Sequence, residues 1–338
     1  MRRITMILLI FLFFSSLITC QAFQVERFSK MLQGKYPVPE WIKPGLVAVY
    51  KMSGGMRTIG GGDTSASYGE GYMVSIVTNV EKNVVYGLTV TIFTYPNFMV
   101  FPPNPTVLFL HVDPRQMRET LAMRDELANQ GIIVNGGENQ DGMWLSISYG
   151  MANYTFFTTE DGQVRRFSFL EKQQGGSSTT DAVLMMTFQT DFPSVREFPK
   201  VARENHSYNI YSYDPYYTGI KALEGRETME FERMEGMIAI YRLGYYTMGM
   251  GFPIPKEAIG LPCLGPHYIH PDLLRREILL NVRSIGFTWM NEVGEAGIDS
   301  VMYINDQEMM RITCDENGLV TGISMMTPSS VVIMELEE

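Results

Sequence analysis

Two histidines, each followed two residues later by an aspartate, come nearest to a chemical constellation in this chain. They are His111 with Asp113 and His270 with Asp272. Imidazole nitrogens and carboxylate oxygens are ordinary ligands for a divalent metal. If the two segments faced each other across a two-fold, all four side chains would converge, and His267 would add a His-x-x-His pattern. Neither pair alone has the ligand spacing of a known zinc motif. The plainer expectation is a strand-to-helix corner in each place. There the Asp caps the helix and the His hydrogen-bonds nearby backbone.

Other chemistry is harder to place. Gly69-Glu70-Gly71 lies in a glycine-rich loop, Gly60 to Gly71, but lacks a third glycine and any following Lys-Ser or Lys-Thr. A strand pattern follows it, so no helix dipole awaits a phosphate. Asp315-Glu316-Asn317-Gly318 is superficially like a calcium loop, with Thr313 in the leading position and no closing Glu. It reads as a turn. The chain has no Gly-x-Ser-x-Gly, no His-Glu-x-x-His and no Cys with an evident His partner, so no catalytic residue and no cofactor is assigned. A carboxylate pair is the hydrolytic option that stays open.

The elements that must hold these residues look duplicated. Gly45-Leu46-Val47-Ala48-Val49-Tyr50-Lys51 returns as Gly236-Met237-Ile238-Ala239-Ile240-Tyr241-Arg242. Phe109 to Asp113 is echoed by Tyr268 to Asp272, and Glu160-Asp161-Gly162-Gln163-Val164 by Glu316-Asn317-Gly318-Leu319-Val320. Landmarks repeating in one order indicate a copied unit. Period-two alternation marks strands, as in Leu88-Val90-Ile92 and Met143-Leu145-Ile147-Tyr149. A helix is expected from Pro114 to Gln130, capped by Asp113 and ended by Gly131, and a second after Pro271.

The expected fold is therefore mainly β (α+β). It consists of two related, antiparallel, curved sheet units, half-barrel-like, each with one packed helix, and the units are either separate or share one continuous sheet. The boundaries read as 1–22 signal peptide, 23–41 lead-in, 42–192 first unit, 193–233 a Pro- and Tyr-rich connection, and 234–338 second unit. That element order is similar to the open half-barrels of periplasmic lipoprotein carriers, a resemblance that assigns no functional residue.

Arg2 and Arg3 before the apolar run Met6 to Phe14 describe an export signal, too short for a comfortable membrane anchor. Leu17-Ile18-Thr19-Cys20 is similar to a bacterial lipobox except at Thr19, making Cys20 a lipidation candidate; cleavage after Ala22 is the alternative. The expected location is extracytoplasmic, with the membrane reached only through such an anchor or an uncleaved signal. Export and an even count predict a disulfide between Cys263 and Cys314, which would contribute about 4 kcal/mol. Asn153 and Asn205 head glycan sequons. A formal charge of −10 without a basic stripe argues against nucleic acid.

Three functions remain in view. One is a non-catalytic exported protein that takes an apolar or extended ligand in a Met- and aromatic-lined concavity. Another is a cell-surface structural or protein-interaction module with filled cores and exposed binding patches. The last is a carboxylate-based hydrolase with a polar cleft.

Overall fold

The computed structural model describes residues 31–60, 63–173, 176–213, 221–247, 254–327 and 330–337. The signal segment, with Cys20, and residues 23–30 of the lead-in lie outside them. The chain forms two compact units, one of residues 31–103 and 107–191, the other of residues 104–106 and 192–338. Each is built on its own antiparallel sheet, and neither sheet closes into a barrel.

The first sheet contains β1 (Leu46–Gly60), β2 (Asp63–Glu81), β3 (Val84–Tyr95), β4 (Met99–Val100) and β5 (Asn104–Val107), which pairs with β3. Helices α1 (Pro114–Ala122) and α2 (Arg124–Asn129) follow. Then come β6 (Ile132–Asn139), β7 (Gly142–Tyr149), β8 (Ala152–Thr158), β9 (Val164–Gln173) and β10 (Gly176–Gln189). The strands line up as β4-β3-β2-β1-β10-β9-β8-β7-β6, so the first long strand pairs with the last. A tight turn joins β2 to β3. Lys82 and Asn83, between β2 and β3, both have positive φ (49° and 61°), the geometry that suits the twist of a two-residue hairpin.

The expected single helix is broken in two at Met123, whose backbone (φ −86°, ψ 7°) caps α1 and opens α2. Gly131 does end it, at φ 77°. The face carrying Met117 and Leu127 packs with Ile132, Val134, Leu145, Ile147, Phe156 and Val164 into a buried core. Burying each such large side chain contributes roughly 1.5–3 kcal/mol against leaving it in water. A further core gathers Ile42, Leu46, Ala48, Tyr50, Val77 and Val85 with Leu108 and Leu110.

In the second unit β11 (His206–Tyr213), β12 (Lys221–Glu235), β13 (Ile238–Thr247), β14 (Ile254–Gly260), β15 (Leu264–Gly265) and β16 (Tyr268–Ile269) precede the short helix α3 (Pro271–Leu274). β17 (Ile278–Val282), β18 (Phe287–Val293), β19 (Ile298–Ile304), β20 (Gln307–Cys314), β21 (Val320–Met326) and β22 (Val331–Leu336) complete it. The order is β14-β13-β12-β11-β22-β21-β20-β19-β18-β17, and again the first strand pairs with the last.

Three expectations change. The segment 193–233 carries a 3-10 turn (Lys200–Arg203), β11 and nearly all of β12, so the second sheet starts well before residue 234. The helix expected after Pro271 is a single turn that ends at Leu274, and Leu279 and Leu280 lie buried in β17. And Tyr241 is not the counterpart of Tyr50. Tyr50 stands on the first strand of its sheet, paired to the last, whereas Tyr241 stands on the third strand of the other. The repeated heptapeptide is a coincidence of two β words with the same apolar alternation.

Cys263 and Cys314 are both fully buried and are not bonded to each other. The disulfide inferred from parity is therefore absent. Burial first, then Asp315 and Asp299, pushes the Cys314 thiol far above its usual range.

Candidate functional site

The two His-Asp pairs sit at the strand-to-helix corners, as their sequence context implied. Asp113 is the N-cap of α1 and accepts from the Arg115 N–H at 2.8 Å, while the Arg115 guanidinium bonds both its oxygens. Those hydrogen bonds hold the Asp113 carboxyl below its usual range. Nε2 of His111 meets the Asp161 carbonyl at 2.8 Å, and burial lowers its proton affinity.

At the other corner the cap is His270 itself. Its Nδ1 accepts from the Asp272 N–H at 3.1 Å, and Asp272 is paired with Arg275 at 2.7 Å. All four metal candidates are thus used locally, and His111 and His270 stand in different units. Among the described residues no group of three or more His, Cys, Asp or Glu could hold a metal ion.

The corners correspond, but two residues out of the register that the histidines suggest. The Val112 N–H donates to Gly162 O and the Ile269 N–H to Gly318 O, each at 2.9 Å. The Val164 N–H donates to Leu110 O and the Val320 N–H to His267 O, also at 2.9 Å. Hence Asp113 matches His270, and His111 matches Tyr268. In both corners the turn glycine has positive φ (88° and 85°), and a Cβ there would sit 2.4 Å from Val112 O or 2.1 Å from Ile269 O. Only glycine fits.

A polar network that sequence reasoning missed lies on one face of β18–β20. Arg311 bonds Glu308 through two nitrogens (2.9 and 2.5 Å) and Asp299 at 2.6 Å, with Glu292 at 3.6 Å. Thr313 donates to Asp299, and Tyr303 to Glu292, each at 2.7 Å. Burial, then the Glu292 bond, pushes the Tyr303 hydroxyl up to about 12. Period-two spacing of Asp299 with Tyr303, and of Arg311 with Thr313, was the available signal. Its meaning depends on which strands pair. With all three carboxylates gathered around one guanidinium, the arrangement suits a strand-to-strand ion network better than an acid–base pair, in which one carboxyl must stay protonated.

Of two depressions among the described residues, one of about 510 Å³ is open and lined by Arg196, Glu197, Phe198, Pro199, Lys200 and Arg203. The other, under the first corner, holds about 10 Å³, too little for a ligand. Neither is lined by Met.

Large aromatic surface is instead displayed outward in the first unit. Tyr68 on β2, Tyr95 at the end of β3 and Phe98 in the following loop are 52%, 55% and 47% exposed. The two tyrosine rings lie 6.5 Å apart, and Tyr68 donates to Glu70 at 3.0 Å. Beside them on β3, Phe93 packs edge-on against Phe101 at 5.8 Å, so the platform has an ordered base.

Asn153 is half-buried, its amide donating to Ser146 and Ser148. Asn205 is exposed and accepts from the Phe231 N–H.

No family model matches the chain, and no curated protein is similar to it. One solved structure to which it is similar belongs to a protein of unknown function from the DUF3598 family of Nostoc punctiforme. Identity is 8%, over 86% of this chain and 95% of that one, with a TM-score of 0.17. A likeness of that size carries no argument.

Proposed function

We propose that the protein is a non-catalytic, exported binding module that takes an extended peptide segment of a partner protein on the Tyr68–Tyr95–Phe98 corner. The observation that carries this reading is the exposure of Tyr68 and Tyr95, whose rings lie 6.5 Å apart, and of Phe98 in the loop that follows β3, each about half open to solvent. Aromatic rings bring large contact area at small entropic cost and dominate binding energy when they become buried. Glu70, on the same strand as Tyr68, adds a carboxylate at the rim of the patch, where it favours a peptide carrying a basic residue. The packed cores beneath α1–α2 and around Tyr50 also favour a surface over an internal apolar cavity. Export rests on the basic and apolar start of the chain, and no helix among the described residues is long and apolar enough to cross a membrane.

The test is selection of a displayed random-peptide library on the wild-type protein, followed by affinity measurement on the Tyr68→Ala/Tyr95→Ala/Phe98→Ala variant. Selected peptides should be rich in apolar, aromatic and basic residues and should bind the variant at least about 30-fold more weakly, as expected for loss of a hot-spot cluster. Failure to enrich any peptide, or undiminished binding to the variant, would contradict the reading.

A further inference from the structure

We propose that His206 and His267 form an acid-sensitive latch that holds the 3-10 turn Lys200–Arg203 onto the second sheet. His267 is fully buried and its Nε2 lies 3.0 Å from the Val201 carbonyl. A carbonyl only accepts, so Nε2 carries the hydrogen and Nδ1 is a bare lone pair. That Nδ1 has no hydrogen-bond partner, and neither does the buried Nε2 of His206, whose ring centre is 5.0 Å away. Tyr241 supplies a second fastening, donating to the Ala202 carbonyl at 2.7 Å. The turn is thus pinned at two consecutive carbonyls, one by an imidazole and one by a phenol.

The surroundings decide the response to acid. Tyr241 and Tyr268 face His267 with their rings, at 5.0 and 5.3 Å, and neither carries charge at neutral pH. On the turn side stand Lys200 and Arg203. The carboxylates act on the other ring: Glu204 lies 3.9 Å from Nε2 of His206, and Asp315 also favours the protonated form of His206. A proton on His267 would therefore add an unpartnered donor and a charge in an apolar pocket, next to a second imidazole. Burial, followed by His206, pushes His267 down to about 4, and burial lowers His206 as well. Both rings are neutral at neutral pH and take up protons in acid. Releasing the turn lets water reach them.

Hydrogen exchange on the whole protein reads this directly. Two amides report on the turn: Ala202 N–H bonded to Pro199 O, and Glu204 N–H bonded to Val201 O. After correction for intrinsic rates, their protection should fall about tenfold or more between about pH 7 and about pH 4, while amides of β19 hold theirs. In His267→Phe the fall should vanish. Protection that is level with pH, an equal fall in His267→Phe, or loss in β19 together with the turn would overturn the latch. Nitrogen-15 spectra of the wild-type imidazoles need no variant. At neutral pH they should show Nδ1 of His267 bare and Nε2 protonated, and the opposite tautomer would also overturn it.

Discussion

Tyr50 and Tyr208 make the same bond in the two units. Tyr50, on the first strand of the first sheet, donates its hydroxyl to Val164 O at 3.4 Å, and Tyr208, on the first strand of the second, donates to Val320 O at 2.9 Å. Val164 and Val320 each follow a turn glycine by two residues and open the strand after it. Both tyrosines are buried, so each hydroxyl needs that carbonyl. Removing one hydroxyl at a time, as Tyr208→Phe and Tyr50→Phe, should cost about 1 kcal/mol at Tyr208 and less at Tyr50, whose bond is longer. Urea unfolding checks this, and equal, negligible losses would show that the paired geometry contributes nothing.

The corner glycines give a sharper contrast. Gly162→Ala and Gly318→Ala would each press a methyl against a carbonyl oxygen at positive φ, and each should cost about 2 kcal/mol or more. Gly131 and Gly150 also have positive φ (77° and 57°), but a Cβ at either meets nothing within 4 Å. Alanine there should cost only about 1 kcal/mol. Thermal unfolding of the four variants would separate the classes.

For the cysteines, the unfolding midpoint should be the same with and without reductant, since Cys263 and Cys314 are unbonded. Cys314, with its thiol held protonated by burial and flanking carboxylates, should resist alkylation in the native state at mildly alkaline pH and react on denaturation. Mass spectrometry of alkylated peptides reads both outcomes.

Asp113 sets a pH dependence. Its folded-state value lies below the ordinary 3.8 because Arg115 bonds the carboxylate. The contribution is therefore complete above about pH 4 and is lost as pH falls through the lower, folded value. Asp113→Ala should be about 1 kcal/mol less stable than wild type at neutral pH. That difference should narrow only below about pH 4, a trend that denaturant melts across pH can follow.

Most of the strands were legible in the sequence, because a half-covered sheet imposes a period of two on its residues. Met143 to Tyr149 was readable for that reason. The Asp113 cap and the Pro114 start of α1 were also local signals, and both are found. Pairings between distant strands were not legible. β1 meets β10, and β11 meets β22, across more than a hundred residues, and no local word encodes that. Tyr208 was accordingly assigned to a connection, Tyr50 was matched to the wrong tyrosine, and the carboxylates around Arg311 could not be grouped. The exposed corner at Tyr68, Tyr95 and Phe98 also escaped notice, because exposure has no local signature in the sequence. Glu70 faces Tyr95 only once β2 and β3 are in register.

The most direct test of the binding-module reading is hydroxyl-radical footprinting of the wild-type protein with and without a selected peptide. The peptide should protect Tyr68, Tyr95 and Phe98 and leave the reactivity of other exposed aromatic residues, such as Trp41 and Tyr246, unchanged. Protection elsewhere with those three side chains still fully reactive would contradict it.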